Sequence, residues 1–94
     1  MRTFTITLTR YGKTSGTVTF TDDGTVTEQA MENLSGDGRL LTVLGFGEDT
    51  NTQDLSLRAF LRNPRAVVGM HPFVEDTHYG QSVLFGQVAA VAER

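Results

Sequence analysis

A two-residue alternation near the start of the chain constrains the fold more strongly than any other feature. Residues 3–9 alternate between threonine and large apolar residues, and residues 17–21 repeat the pattern. A period of two places successive side chains on opposite faces of a β-strand. Threonine, valine and isoleucine are also branched residues that favour strands. The sequence therefore predicts an antiparallel β-hairpin with a short third strand across residues 4–27.

The apolar members of this alternation define a face that must be buried. They are Phe4, Ile6, Leu8, Val18, Phe20 and Val26. A tight turn is predicted at residues 22–24, because aspartate can bond its own backbone and glycine supplies a positive φ. The threonines on the opposite face are expected to be solvated. The alternative is a flat polar binding surface, or an edge that accepts an added strand.

Length and composition limit the class of protein. The chain has 94 residues, no cysteine and a formal net charge of −3. One small domain over residues 1–94 is expected, without disulfides or thiolate metal sites. The N-terminus lacks the apolar block of a signal peptide, and no apolar run is long enough for a membrane helix, so a cytoplasmic location is expected. The net negative charge argues against a nucleic-acid partner. No cofactor is expected.

Two short helices are predicted after the hairpin. The first covers residues 28–34, where apolar residues recur at helical spacing and Ser35-Gly36 would end the helix. The second covers residues 52–63. Thr50 or Asn51 can cap its first turn, and it ends at residue 63 because Pro64 prevents continuation. This second helix is the expected cover over the apolar face of the hairpin.

The remaining segments favour strands. Residues 39–46 form a compact apolar run that periodicity cannot assign, and the flanking glycines favour a strand over a helix. Residues 65–74 are predicted as a strand interrupted at a glycine and at Pro72, which points to an edge or a bulge. Residues 75–81 are expected to form a polar loop. The fold class is thus α+β, with one antiparallel sheet of about four to five strands packed against one or two short helices.

The C-terminal segment of residues 83–92 is apolar at nearly every position. A strand that is apolar on both faces is usually central and covered on both sides. A second copy of the chain could supply one of those covers. The segment therefore predicts a central strand, or a strand that pairs or packs across a homodimer.

One cluster has the residue types of a metal site, namely His71, Glu75, Asp76 and His78. Imidazole and carboxylate groups suit zinc or another divalent ion, and they can also exchange protons near neutral pH. The spacing matches no standard metal signature, so the favoured reading is a polar loop. No metal is expected, and these four residues are weak candidates only.

Two other groups of residues are candidates for binding. Arg58 and Arg62 lie one turn apart on the predicted helix, with Arg65 close behind. They are either a solvated face, with Asp54 as a partner, or an anchor for an acidic partner or a phosphate. Tyr11 lies at the tip of the first hairpin, where it either contacts a partner or folds back over the strand.

The sequence contains no catalytic nucleophile, cofactor loop or enzyme motif. The expected function is a non-enzymatic protein-interaction domain that works through a surface, one version being a phage-type inhibitor of a host protein. The general layout is typical of small prokaryotic or phage open reading frames, which is an analogy that assigns no site. The alternatives are a small metal-dependent or acid–base enzyme using the histidine and carboxylate cluster, and a structural homo-oligomer.

Overall fold

The structure is a computed structural model that describes residues 1–31, 41–84 and 86–94. It consists of eight strands, one short α-helix and one 3-10 helix. In chain order they are β1 (Thr3–Arg10), β2 (Lys13–Thr21), β3 (Val26–Met31), β4 (Leu41–Gly47), β5 (Leu55–Ser56), α1 (Leu57–Arg62), the 3-10 helix (Pro64–Val67), β6 (His71–Asp76), β7 (Gly80–Val83) and β8 (Gln87–Glu93).

The strands form two antiparallel sheets, which corrects the expected single sheet of four to five strands. Their orders are β3-β2-β1-β8 and β5-β4-β6-β7. Strands β4 and β6 alternate buried and partly exposed residues as β1 does. Each sheet therefore buries one face, and the two faces share one core. The protein is mostly β, because β4 and β6, both in segments predicted as strands, form a second sheet with β5 and β7.

The N-terminal hairpin is confirmed in position and in the direction of its side chains. Phe4 pairs with Phe20 and Ile6 with Val18, and these four side chains are fully buried together with Leu8. The threonine face is only partly solvated. Thr5 and Thr19 join their hydroxyl groups across the strands at 2.8 Å, and Thr19 is buried.

The predicted helix at residues 28–34 is wrong in its described part, because β3 extends through Met31. Glu28, Gln29 and Ala30 are good helix formers, but they pair with Thr19, Val18 and Thr17 of β2. Pairing with a neighbouring strand thus outweighs a weak local preference for helix. Residues 32–34 lie outside the described residues, as do residues 39 and 40.

The predicted helix at residues 52–63 is real but much shorter, since α1 begins only at Leu57. Ser56 caps it by accepting a hydrogen bond from the amide of Ala59 at 3.1 Å, a role that the sequence gave to Thr50 or Asn51. Its expected function as a cover is confirmed. The ring of Phe60 lies 4.8 Å from that of Phe4 and 5.5 Å from that of Phe20, measured between centroids.

The segment of residues 65–81 departs from the prediction in three places. Pro64 begins a 3-10 helix, so the strand starts at His71 rather than at Arg65. The expected polar loop at 75–81 is instead the turn of a β-hairpin between β6 and β7, which pair from Phe73 to Asp76. Pro72 lies opposite Phe46 of β4, and its carbonyl accepts a hydrogen bond from the amide of Leu84 at 2.9 Å. β6 is therefore an inner strand of its sheet, and the predicted edge position of Pro72 is wrong.

The strand reading of residues 39–46 is confirmed over its described part by β4. The C-terminal strand β8 is also present, but it lies at an edge of its sheet and not at the centre. Val88 is buried, whereas Ala89, Ala90 and Ala92 are exposed. Ala89 is an extra residue in β8 between the partners of Thr7 and Leu8, so the register of β8 against β1 shifts there.

Two backbone seams join the sheets at their margins. At one seam the amide of Val43 in β4 donates to the carbonyl of Gly24 at 2.7 Å. At the other, the amide of Gly69 donates to the carbonyl of Val88 at 2.7 Å, and the amide of Val88 donates to the carbonyl of Met70 at 2.8 Å. The seams fix the loops that precede β3 and β6 relative to the opposite sheet.

Candidate functional site

The hairpin tip, defined as residues 10–13, is the most unusual exposed feature of the molecule. Arg10 pairs with Lys13, so Tyr11 and Gly12 form a two-residue loop. Both have positive φ angles, 54° and 75°, which identifies a type I′ turn. Asparagine and glycine suit such a turn, whereas a bulky residue in the left-handed region is strained. Tyr11 is nevertheless in that position, and 89% of its surface is exposed.

Tyr11 does not fold back into the core but is accompanied by a cation. The guanidinium carbon of Arg10 lies 5.1 Å from the centroid of its ring. An arginine over an aromatic face is attracted by the ring's quadrupole, which orients both side chains. The tip therefore presents an ordered aromatic and cationic pair to solvent.

An open groove of about 340 Å³ lies beside the hairpin tip. We call it the tip groove. Its lining residues are Thr9, Arg10, Tyr11, Gly12, Thr50, His71, Gly86 and Gln87. They come from four separate segments of the chain: the first hairpin, the β4–β5 loop, the start of β6 and the start of β8. The volume is at the lower end of the range for small-ligand sites, and it suits one or two side chains.

His71 is held in a fixed orientation on the wall of this groove. Its Nδ1 atom lies 3.0 Å from the carbonyl oxygen of Gly86. Because a carbonyl oxygen only accepts, Nδ1 donates in this hydrogen bond, and Nε2 is the ring nitrogen left for another contact. Gly86 itself packs closely against β1 and β2, which leaves no room for a side chain. A Cβ atom there would lie 2.9 Å from Ser15 Oγ and 3.0 Å from the carbonyl oxygen of Thr9.

The candidate arginines lie on the helical segment, away from the tip groove. Arg58 and Arg62 are exposed on α1, and Arg65 is exposed on the 3-10 helix. Among the described residues none of the three forms an ion pair. The expected partner Asp54 instead accepts a hydrogen bond from the amide of Glu48 at 3.0 Å.

A separate ion pair ties the chain termini to this helical end. Arg2 Nε lies 2.9 Å from a carboxylate oxygen of Glu93, and Arg2 also donates to the carbonyl of Leu61 at 2.9 Å. The hydrogen bond from Arg2 lowers the pKa of Glu93. Both side chains remain substantially exposed, so the pair positions the ends of β1 and β8 more than it stabilises them.

The structure does not bring His71, Glu75, Asp76 and His78 together. On β6, alternation sends His71 and Glu75 outward and Asp76 toward the core. His71 and Glu75 are four residues apart, or roughly 13 Å along a strand. The carboxylate of Asp76 accepts a hydrogen bond from the amide of His78 at 2.7 Å, which orders the β6–β7 turn. Over residues 1–31, 41–84 and 86–94, no group of three or more His, Cys, Asp or Glu side chains could hold a metal ion.

The sequence therefore identified Tyr11 as a candidate but missed the groove beside it. It named His71 only as a weak candidate for a metal or acid–base cluster, whereas the structure places that residue on the wall of the tip groove. Thr50, Gly86 and Gln87 were not candidates, because each is ordinary in its own segment. The pairing of β1 with β8 places Thr9 opposite Gln87, and the hydrogen bond between His71 and Gly86 joins the start of β6 to them.

No protein-family model, curated protein or solved structure matches this chain. Within the described part of the chain, the helices are too short or too polar to cross a membrane. The argument for function therefore depends on the site geometry alone.

Proposed function

We propose that this protein is a non-enzymatic interaction domain that binds a partner protein through the hairpin tip. The observation that carries the proposal is Tyr11, which is exposed and held in the left-handed region. A strained backbone conformation at an exposed position points to a role other than folding. Tyrosine also contributes more to protein interfaces than most residues do, because it is large, rigid and amphipathic.

A phage-type inhibitor of a host protein is one concrete form of this proposal. Such a protein acts by occupying a surface, so it needs an exposed anchor and no catalytic group. The lack of convergence among the histidine and carboxylate side chains supports the interaction reading over the enzyme reading. It leaves the tip and the helical arginines as the surfaces to test.

Affinity capture with matched variants tests the proposal. Immobilised wild-type protein, Tyr11→Asn and Tyr79→Asn are each exposed to host lysate, and the captured proteins are identified by mass spectrometry. Tyr79 is the control because it is also an exposed tyrosine in a β-hairpin turn, with 74% of its surface accessible. We expect one protein to be captured by the wild type and by Tyr79→Asn but lost with Tyr11→Asn. Equal capture by all three would reject the tip as the contact surface.

The helical arginines are a second surface for the same function. Arg58, Arg62 and Arg65 have no ion pair among the described residues, and an arginine fork binds carboxylate or phosphate groups bidentately. Charge reversal with Arg58→Glu and Arg62→Glu should weaken capture if this surface contacts the partner. Unchanged capture by the double variant would exclude it while leaving the hairpin tip intact.

The homodimer expected from the C-terminal segment also stays a proposal. Its support is the position of β8 at the edge of a sheet, with small alanine side chains exposed. Edge strands present unpaired backbone groups that a second chain can use. A monomer mass by light scattering at high micromolar concentration would count against it.

A further inference from the structure

We infer that the tip groove binds an acidic peptide segment of the partner protein. This inference rests on the proposed function and adds the chemistry of the ligand. It follows from three properties of the groove: its charge, the hydrogen-bonding state of His71 and the exposed ring of Tyr11. Each property selects a different part of the ligand.

The charge of the groove selects an anionic group. Arg10 lines the groove and Lys13 follows the lining residue Gly12 in the chain, and none of the lining residues that the structure describes is Asp or Glu. The nearest carboxylate in sequence, Asp49 beside Thr50, is directed into its own loop. Its Oδ1 atom accepts hydrogen bonds from the amides of Asn51 at 2.8 Å and Thr52 at 3.1 Å. A cationic surface on a protein of net charge −3 favours a ligand that carries carboxylates.

His71 selects a hydrogen-bond donor. Because Nδ1 donates to Gly86, the Nε2 atom is left for the ligand, and it is an acceptor when the ring is neutral. A carboxylate oxygen cannot satisfy it, but a peptide N–H can. A peptide therefore offers both an anion for Arg10 and Lys13 and a donor for His71 within a short length of chain.

Tyr11 selects an apolar contact next to the anion. Arg10 already lies against its ring, so a carboxylate that approaches Arg10 brings its methylene groups and neighbouring side chains to the tyrosine. A single-stranded nucleic acid could also stack on the ring and meet the cations. It is the weaker fit, because nucleic-acid binding depends on neutralising several phosphates, and the described residues of the tip supply two cations, Arg10 and Lys13.

Selection from a random dodecapeptide library displayed on phage tests the inference directly. We expect enrichment of peptides with Asp or Glu beside an apolar residue. In ¹H–¹⁵N spectra, a selected peptide should shift the amides of residues 9–13, 50, 71, 86 and 87. Replacing its carboxylates by amides should weaken binding at least about tenfold, because charge-assisted hydrogen bonds are lost. Added salt should weaken binding as well.

Two variants of His71 separate its contact with the ligand from its structural role. His71→Asn keeps a side-chain donor for Gly86 but removes the acceptor at the Nε2 position, and it should weaken binding about fivefold. His71→Gln keeps a polar group near the Nε2 position but loses the hydrogen bond to the carbonyl of Gly86. Lys13→Gln should weaken binding by a smaller factor, about threefold, since exposed charge pairs are weak. Arg94→Gln is the control, because Arg94 is exposed next to Thr3 at the other end of β1, and it should bind as the wild type does.

The inference is overturned if no peptide is enriched, if neutral peptides are enriched, or if the shifted amides lie on α1. Tighter binding of a thymidine dodecanucleotide than of the best peptide would also overturn it, in favour of nucleic acid. These failures differ from failure of the proposed function. If Tyr11→Asn abolishes capture from lysate while His71→Asn and Lys13→Gln leave the affinity for the captured protein unchanged, the tip is the contact surface and the ligand chemistry is wrong.

Discussion

The two turns at the ends of β2 share a glycine with positive φ but otherwise contain very different residues. The turn that enters β2 contains Tyr11 and Gly12, and the turn that leaves it contains Asp22, Asp23 and Gly24. Both include a glycine with positive φ, 75° at Gly12 and 89° at Gly24. In the second turn Asp23 accepts hydrogen bonds from Thr21 and Thr25, so each residue has a role in shaping the chain.

Folding alone explains the residues of the second turn but not the tyrosine of the first. The second turn is packed into the molecule, because the carbonyl of Gly24 accepts from Val43 at the seam between the sheets. The first turn projects into solvent and places a tyrosine where asparagine would be less strained. Its sequence is therefore better explained by a contact outside the molecule.

Gly24→Ala should give the largest effect on stability. A Cβ atom at this position would lie 2.5 Å from the carbonyl oxygen of Val43, in a backbone conformation that already disfavours side chains. We expect the free energy of unfolding to fall by about 3 kcal/mol, measured by urea denaturation. A loss below about 1 kcal/mol would show that the seam is not rigid.

Gly12→Ala is the matched substitution at the other turn and should cost less. The φ angle is again positive, but no atom lies within 4 Å of the added Cβ. Only backbone strain remains, so the expected loss is about 1 kcal/mol in the same denaturation experiment. Equal losses at Gly12 and Gly24 would contradict the distinction between an open and a packed turn.

Tyr11→Asn should have the opposite sign. Asparagine accepts the left-handed conformation more readily than tyrosine, and so little of Tyr11 is buried that little packing is lost. The variant should be more stable than the wild type by about 0.5–1 kcal/mol. If it is less stable, Tyr11 supports the fold and the case for a functional tyrosine is lost.

The smallest expected effect concerns the pH dependence of the second turn. The hydrogen bond from Thr21, reinforced by the amide of Thr25, lowers the pKa of Asp23 from 3.8 to about 2. A carboxyl with a lowered pKa in the folded state stabilises the protein above its ordinary pKa. That stabilisation is lost as the pH falls through about 2.

Urea midpoints measured between about pH 5 and pH 2 should therefore decline more steeply for the wild type than for Asp23→Asn. The asparagine variant can keep the turn but has no proton to gain. Because Asp23 is fully exposed, the difference should be small. Parallel curves for the two proteins would show that Asp23 does not contribute through its charge.

The sequence predicted the parts of the fold in which local pattern and tertiary packing agree. Alternation identified β1, β2 and their buried face, and the spacing of Leu57, Phe60 and Leu61 identified the helix that covers it. It failed where the two disagree. Residues 28–30 favour helix by composition, yet the exposed edge of β2 binds them as a strand. Ser56 was passed over because caps further upstream also fit the rules.

The candidate site was predictable only in part for a related reason. Tyr11 could be predicted as a candidate because it is a tyrosine at the tip of the first hairpin, where contacts with partners are common. The tip groove was not, because Thr50, His71 and Gly86 meet through strand pairing over long separations in the chain. The pairing of β1 shifts register at Ser15 in β2 and at Ala89 in β8, and no local pattern marks these shifts.

The amide protons of Val43 and Val88, which form the seam hydrogen bonds, can show whether the two sheets separate. Each amide proton lies between the two sheets, whereas most ladder protons lie within one. Exchange with deuterated solvent at these two positions requires the layers to part, and fraying of a single hairpin does not suffice. A bound partner that holds the layers together would slow both protons at once, even if it touched neither residue.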